Sequence, residues 1–176
     1  RVTPLIDIDN STTAIIENFI NNDATGEAGA ASGGNALARY ITRTITLAEN
    51  QDAEDLKVFL TAYKPNTANI KVYYKILNSA DSDDFENKLW MEMEQVTTTS
   101  VYSNNDNKQD FKEYEYRILA SELTGTAQDT NTVVEYTTNE VTYSGYKYFA
   151  IKIVLLSTSF SNVPRVKNLR AIAIQA

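Results

Sequence analysis

The sequence predicts an all-β fold, namely an antiparallel two-sheet sandwich of the jelly-roll type with about eight strands. Three observations support this prediction. Apolar and polar residues alternate with a period of two in several segments, long polar stretches join those segments, and no crossover helix is evident between them. The 176 residues suffice for one domain with a sizeable core, and the 11 Tyr, 6 Phe and single Trp suit β-strands.

The clearest strand signal lies in residues 56–77. Apolar side chains alternate with other side chains along 56–63, and the alternation resumes along 70–77. A period of two is typical of a half-buried strand. Because Pro65 has a fixed φ and Asn66 tolerates turn dihedrals, we expect the intervening residues to form a hairpin loop.

The first 35 residues are predicted to form an N-terminal arm and a flexible Gly-rich loop, and residues 36–176 the sandwich domain. Pro4 makes residues 2–8 an edge segment or an arm, and the pattern of residues 13–20 fits a helix or a strand equally well. The loop contains four of the six glycines, Gly26, Gly29, Gly33 and Gly34. Their spacing matches no phosphate-binding motif, so we expect a flexible linker of weak order.

Further strands are predicted at 37–47, 89–93, 111–119, 132–137, 146–156 and 168–176. Arg39 and Arg43 fall on the apolar side of the first of these, which indicates a register shift at a bulge or side chains that extend past the sheet edge. The strand at 146–156 is apolar on both faces apart from Lys152. Such a strand belongs in the middle of a sheet or under a partner.

The chain contains no Cys and no His. It therefore has no disulfide, no thiol nucleophile, no His-dependent catalytic pair and no imidazole metal ligand. We expect neither enzymatic activity nor a cofactor. The net charge of −7 disfavours nucleic acid as a partner. No apolar run is long enough to cross a bilayer, so no membrane association is expected. The chain begins with Arg1 without a signal sequence, which predicts a domain cut from a longer polypeptide.

Charge is distributed unevenly along the chain. Residues 141–176 contain five basic residues and no acidic one, so they carry +5 of the total of −7 and the first 140 residues carry −12. One interpretation is that the basic strands lie beside acidic ones and the charges cancel within the fold. The other is a bipolar surface that docks onto copies of the chain or onto a neighbour, and such docking should weaken with added salt.

An acidic loop offers a weak calcium candidate. Asp81, Asp83 and Asp84 supply carboxylates of the kind that bind Ca²⁺. Phe85 occupies the position of a further ligand in the EF-hand pattern, however, and no Gly follows. The alternative is a solvated acidic loop.

Two carboxylate pairs, Glu92 with Glu94 and Glu113 with Glu115, are spaced about 7 Å apart along a strand face. That separation lies in the range of glycosidases. Any polar strand face produces the same spacing, and catalysis also needs a cleft, so we predict no catalytic residue.

Four aromatic residues are candidates for stacking on sugar rings, namely Trp90, Tyr63, Tyr73 and Tyr102. The alternative is that Trp90 lies in the core and the tyrosines cover sheet edges. A carbohydrate-binding module for host-surface glycans is therefore a second functional hypothesis, and burial of Trp90 would count against it.

Several strand sequences resemble domains in large virion proteins of tailed marine phages, particularly the baseplate or tail components of cyanophage-like myoviruses. The resemblance lies in ARYITR at 38–43, DLKVFLTAYKP at 55–65, IKVYYKIL at 70–77, an acidic loop followed by Trp at 81–90, FKEY at 111–114 and VPRVKNLRAIA at 163–173. It covers roughly residues 37–176.

This resemblance implies a structural role. Such domains are similar to jelly-roll sandwiches and pack against other virion proteins, often around a symmetry axis, so other virion structural proteins and copies of the chain are the implied partners. The implied location is the virion, and the host cytoplasm during assembly. The family is defined by strand sequences, so no catalytic residue is carried over.

Overall fold

The computed structural model describes residues 3–7, 12–16, 18–98, 100–124 and 132–175. Thirteen strands form the regular structure of those residues: β1 Thr3–Asp7, β2 Thr12–Ile16, β3 Ala38–Ile41, β4 Ile45–Thr46, β5 Asp55–Tyr63, β6 Ala68–Leu77, β7 Met91–Gln95, β8 Lys112–Ile118, β9 Leu123–Thr124, β10 Val133–Thr138, β11 Val141–Ser144, β12 Tyr148–Ser157 and β13 Arg165–Ile174. Two short 3₁₀ turns, Phe85–Asn87 and Ala120–Glu122, complete them. No helix in this part of the chain could span a membrane.

Eight strands form one curled antiparallel sheet in the order β13-β5-β8-β7-β6-β12-β3, with β4 also paired to β12. The sheet folds over at β7. Met91 and Glu92 pair with β6, whereas Met93 to Gln95 pair with β8. One strand thus connects two layers, which we name the β5 layer (β13, β5 and β8) and the β12 layer (β6, β12, β3 and β4). The predicted all-β antiparallel sandwich is confirmed.

The predicted hairpin between residues 56–63 and 70–77 is wrong. β5 pairs with β13 and β8, and β6 pairs with β12 and β7, so residues 64–67 cross from one layer to the other. Alternation shows that each strand has one buried face, but it does not identify the strand that lies beside it. Strands in facing layers turn their apolar faces toward the same interior and produce the same pattern.

The core lies between the layers. It contains inward side chains of β5, β6, β8 and β12, among them Leu56, Val58, Leu60, Ile70, Val72, Tyr74, Tyr114, Tyr116, Ile151 and Ile153. The buried phenols have partners: Tyr116 donates a hydrogen bond to the Ile70 carbonyl at 3.0 Å, and Tyr146 donates one to the Asp55 carbonyl at 3.0 Å. Burial raises the pKa of both phenols well above its usual value. The aromatic core therefore leaves neither hydroxyl unpaired.

The predicted strand at 37–47 is interrupted and becomes β3 and β4. Between them, the Thr42 amide donates to the Ile151 carbonyl at 2.9 Å, and the Thr42 hydroxyl accepts from the Ile151 amide at 3.0 Å. The interruption falls at Arg43, the second of the two arginines on the apolar side of the pattern. Arg39 extends over the outer face of the sheet to the carbonyl of Gly33.

Two smaller sheets accompany the sandwich. β10 pairs with β9 and β11, and the Val134 amide donates to the Glu54 carbonyl at 2.8 Å, which ties this sheet to the end of the β5 layer. β1 pairs with β2, so the segment that fitted a helix or a strand is a strand over Thr12–Ile16. Residues 1, 2, 8–11 and 17 of the predicted arm lie outside the described residues.

The Gly-rich segment is packed, contrary to the flexible loop expected from its composition. Residues 18–36 lie against the outer face of the β12 layer, where the Gly29 amide donates to the Trp90 carbonyl at 2.9 Å and the Ser157 amide donates to the Asn21 carbonyl at 2.9 Å. β12 thus has a neighbouring strand on each side and is covered on its outer face, as expected for a strand that is apolar on both faces.

The basic residues near the C-terminus are mostly paired within the fold. Lys147 lies 3.3 Å from Glu49, Lys152 2.9 Å from Glu27 and Arg170 3.8 Å from Glu113. Three of the five basic residues of 141–176 therefore have an acidic neighbour from the first 140 residues. This arrangement favours charge cancellation over a bipolar surface.

Candidate functional site

Trp90 and Tyr73 lie in an aromatic layer beneath the Gly-rich segment. Only 5% of Trp90 and 1% of Tyr73 is exposed. The ammonium groups of Lys75 and Lys152 each lie 5.0 Å from the Trp90 ring centroid. Because residues 18–36 cover this layer, neither ring can stack on a sugar. The expectation that these two aromatics are surface residues is wrong. Trp90 is therefore not available to bind a glycan.

A buried ion pair holds residues 18–36, which form the cover of the β12 layer, in place. The Glu27 carboxylate, fully buried, lies 2.9 Å from Lys152 Nζ, accepts a hydrogen bond from the Ala36 amide at 3.1 Å and lies 3.4 Å from Arg39. Lys152 also donates to the Glu27 carbonyl at 2.7 Å. Burial lowers the pKa of Lys152, and the contact with Glu27 opposes that shift. The pair therefore anchors the Gly-rich segment to β12.

Lys75 forms a second anchor without a carboxylate. Its ammonium donates to the Ala31 carbonyl at 3.0 Å and to the Glu86 carbonyl at 3.3 Å, and it lies 5.7 Å from the Phe85 ring centroid. Burial lowers its pKa. Carbonyl oxygens and aromatic faces replace water around this cation. Lys75 thus fastens both segments that cover the β12 layer.

Tyr63 is also buried, with 1% exposed. Its hydroxyl accepts a hydrogen bond from Lys108 at 3.0 Å, and the Arg165 guanidinium lies 5.0 Å from its ring centroid. The ring joins the loop of residues 97–110 to the start of β13. The expectation of a surface stacking ring at Tyr63 is therefore wrong as well.

Tyr102 is the one of the four stacking candidates that is exposed, at 40%. Its ring centroid lies 5.4 Å from Lys64 Nζ. Tyr102 borders an open polar pocket at the end of the sandwich where residues 64–67 cross between the layers. The structure does not bring the two rings together, since Trp90 is buried in the aromatic layer and does not line this pocket.

The acidic loop has its own cation. Lys88 Nζ lies 2.6 Å from the Asp81 carboxylate and 3.0 Å from that of Asp83, and Tyr136 donates to Asp81 at 2.8 Å. Asp84 is exposed and does not join them. No group of three potential metal ligands occurs among the described residues. An ammonium group therefore occupies the position that the sequence suggested for calcium.

Burial by itself raises the pKa of Asp81. The hydrogen bonds from Lys88, the Asp83 amide and Tyr136 outweigh that effect, so the pKa of Asp81 lies below its usual value. For Lys88, burial lowers the pKa, but the two carboxylates outweigh burial and raise it. Both groups are therefore held in their charged forms, and the cluster acts as a structural clamp.

The two carboxylate pairs lie on strand faces. Cations accompany three of the four groups: Lys71 lies 2.9 Å from Glu92, Arg170 3.8 Å from Glu113 and Arg117 2.6 Å from Glu115. Glu92 and Glu94 border a groove of about 420 Å³ where β7 passes between the layers, but they stand side by side on one strand. They do not face each other across the groove, as the two acids of a glycosidase do.

A surface that the sequence did not reveal lies along β3 and β4. Leu37, Tyr40, Ile41 and Ile45 are each more than a third exposed on this edge of the β12 layer. β3 ends the strand order, so its outer edge is unpaired among the described residues. Alternation assigned Ile41 and Ile45 to a buried face. The interruption at 42–44 and the edge position leave them exposed instead. We name these four residues the apolar edge.

Comparison of the chain with protein-family models, curated proteins and solved structures finds no match.

Proposed function

We propose that the chain is a non-enzymatic structural module of a phage virion that acts in tail or baseplate assembly. The observation that carries the proposal is the apolar edge formed by Leu37, Tyr40, Ile41 and Ile45. An unpaired strand edge with large apolar side chains is a template for pairing with another chain, and soluble monomers avoid such edges. The resemblance of residues 37–176 to phage virion domains supports the same role.

The partners in this proposal are other virion structural proteins and copies of the chain, and the location is the virion, with the host cytoplasm as the place of assembly. Strand addition at β3 would extend the β12 layer by main-chain hydrogen bonds, while Tyr40 and Ile41 supply apolar contacts on opposite faces of the new strand pair. Carbohydrate binding through Trp90, Tyr63 and Tyr73 is not proposed, because all three rings are buried.

The test uses phage particles whose genome encodes the chain in its natural setting. Quantitative mass spectrometry of purified particles measures the amount of the chain relative to the capsid protein. We expect the wild-type chain in the particles, and we expect the double variant Tyr40→Lys/Ile41→Lys to be reduced at least tenfold, because two charges on the edge disfavour strand addition.

The matched control is Val141→Lys/Ile172→Lys, which places the same charges at exposed apolar positions of β11 and β13. It should enter particles at the wild-type level. Thermal unfolding of both purified variants shows whether each remains folded. Particles without the wild-type chain would refute the virion role. Normal incorporation of the edge variant would show that the apolar edge is not the contact surface.

A further inference from the structure

The pocket that contains Tyr102 has the composition of a ligand site. It has a volume of about 390 Å³ and is lined by Asn22, Asn66, Thr67, Asn69, Tyr102 and Thr158, with Lys64 beside them. That volume falls in the usual range for small-molecule sites. None of the described residues that line the pocket carries a carboxylate, and the amide and hydroxyl groups there are both donors and acceptors. The pocket therefore suits a neutral ligand rich in hydroxyl groups.

The amide groups are oriented with unused donors. The Asn66 side-chain oxygen accepts from Asn105 Nδ2 at 2.8 Å, and the Asn69 side-chain oxygen accepts from the Ile70 amide at 2.9 Å. Neither NH₂ group donates a hydrogen bond within the described residues, and the Asn22 side chain makes none there. Three amides thus have hydrogen-bonding capacity for a ligand, and the structure already orients two of them.

Thr67 lines the pocket, but its hydroxyl is buried. The Thr67 Oγ1 atom is buried and has no hydrogen-bond partner among the described residues. The Thr67 carbonyl, by contrast, accepts from the Thr158 amide at 3.0 Å. An unpaired buried hydroxyl costs about 1–3 kcal/mol. Because this atom has almost no accessible surface, its unpaired state is a structural cost and not evidence for a ligand in the pocket.

The exposed ring of Tyr102 lies beside a buried lysine. Lys64 is 2% exposed, its ammonium donates to Gln95 at 3.1 Å, and it lies 5.4 Å from the Tyr102 ring centroid. The neighbouring Ser103 forms two hydrogen bonds with Lys64, since its amide donates to the Lys64 carbonyl at 2.8 Å and its hydroxyl accepts from the Lys64 amide at 3.0 Å. A tyrosine ring has few rotatable bonds, so it loses little conformational entropy when a ligand stacks on it.

We propose that this pocket binds a neutral sugar residue. The C–H face of the sugar ring packs on Tyr102, and its hydroxyl groups bond to the side-chain amides of Asn22, Asn66 and Asn69. An anionic sugar fits less well, because the single cation of the lining, Lys64, is buried and already bonded to Gln95. A purely apolar ligand would leave the amides without partners. The site does not depend on the assembly role and shares no lining residue with the apolar edge.

The test is a titration of the ¹⁵N-labelled chain with glucose, galactose, mannose and N-acetylglucosamine, each at high millimolar concentration, followed by NMR. N-acetylneuraminic acid is the anionic sugar tested in the same way. We expect at least one neutral sugar to cause saturable shifts of the side-chain amide signals of Asn22, Asn66 and Asn69. Tyr102→Ala should weaken that binding about tenfold.

Two further variants keep the result interpretable. Tyr40→Ala, which removes another exposed tyrosine from the apolar edge, should leave binding unchanged. Asn22→Ala removes a side chain without internal hydrogen bonds, so it should weaken binding without unfolding the chain. The proposal is overturned if no neutral sugar causes saturable shifts, if the shifts lie away from the pocket, or if only the anionic sugar binds.

Discussion

The two outer faces of the sandwich differ more in their surroundings than in their sequence. Outward residues of β5 include Lys57 and Phe59, and those of β6 include Tyr73 and Lys75, so each face carries lysines and aromatic rings. The β5 layer leaves these side chains at least partly exposed. Residues 18–36 and 81–90 bury those of the β12 layer. The same residue types thus become a solvated surface on one side and a second core on the other.

Burial changes what a charge contributes to stability. On the β5 layer, Arg170 and Glu113 lie 3.8 Å apart and 61% of each side chain is exposed, so water screens their attraction. On the β12 layer, Lys152 and Glu27 are almost completely buried. Each partner of that pair has lost its water and depends on the other. The comparison predicts a large difference between equivalent substitutions on the two faces.

The sharpest comparison is Glu27→Ala against Glu113→Ala. Loss of Glu27 leaves Lys152 buried without a counter-charge and should lower the free energy of unfolding by about 3–5 kcal/mol. Loss of Glu113 should lower it by less than about 1 kcal/mol. Urea denaturation of the three proteins measures both values. The double variant Glu27→Ala/Lys152→Met should recover part of the lost free energy of unfolding, since it also removes the unpaired ammonium group of Lys152. Equal effects of the two single variants would contradict the predicted difference between the buried and the exposed ion pair.

The second largest effect concerns the turn that accommodates Glu27. Gly34 has φ of +109°, and a Cβ atom added there would lie 2.1 Å from the Glu27 carboxylate. Gly33, with φ of +102°, has no atom within 4 Å of the same position. Both Ala variants carry the backbone strain of a positive φ. We expect Gly34→Ala to be less stable than Gly33→Ala by about 2 kcal/mol, measured by thermal or urea unfolding. Equal stability of the two variants would mean that a Cβ atom at position 34 does not clash with the Glu27 carboxylate.

The sequence predicts the strands well because their signal is local. Alternation in 56–63 and 70–77 follows directly from the pleat of a strand with one buried face. It predicts neither the layer in which each strand lies nor the cover on the β12 layer. A run with four glycines is typical of a flexible linker, and this one is ordered by contacts distant in sequence, such as the pairing of Glu27 with Lys152, 125 positions apart.

The stacking candidates illustrate the same limit. Trp90 and Tyr102 are both aromatic residues close to polar segments, so composition alone does not separate the buried ring from the exposed one. A signal for Trp90 was present nonetheless. Lys152 interrupts a strand that is otherwise apolar on both faces, and a buried lysine requires acceptors and a cover. Together with a single Glu in the Gly-rich segment, that requirement indicates that the segment packs on β12.

A third prediction tests the other part of the cover, the clamp of Asp81, Asp83 and Lys88. Asp81→Asn should lower the free energy of unfolding at neutral pH by roughly 2 kcal/mol, because Lys88 loses a charged partner. Asp84→Asn, on the exposed neighbour, should have little effect. Asp81 has a folded pKa below its unfolded value of 3.8. Its contribution is therefore fully present above the unfolded value and is lost as the pH falls through the folded value.

The stability difference between the wild-type chain and Asp81→Asn should thus be constant across neutral pH and shrink below about pH 4. Lys88 has a folded pKa above 10.5, so its contribution is lost only above that pH. The chain contains no His, which is the side chain that usually titrates near neutral pH. Urea denaturation at a series of pH values measures the difference. A marked change near pH 6–7 would contradict the assignment.

The smallest effect is expected on the open face, where Arg170 lies 4.5 Å from the Phe59 ring centroid. A double-mutant cycle with Arg170→Ala and Phe59→Leu should give a coupling energy of about 0.5–1 kcal/mol, as for an exposed cation–π pair. The matched cycle with Glu27→Ala and Lys152→Ala should give several times more. A coupling above about 2 kcal/mol at Arg170 would require a desolvated pair. Since no described segment of the chain covers this face, such a value would mean that another molecule covers it in solution, and dilution of the protein should then reduce the coupling.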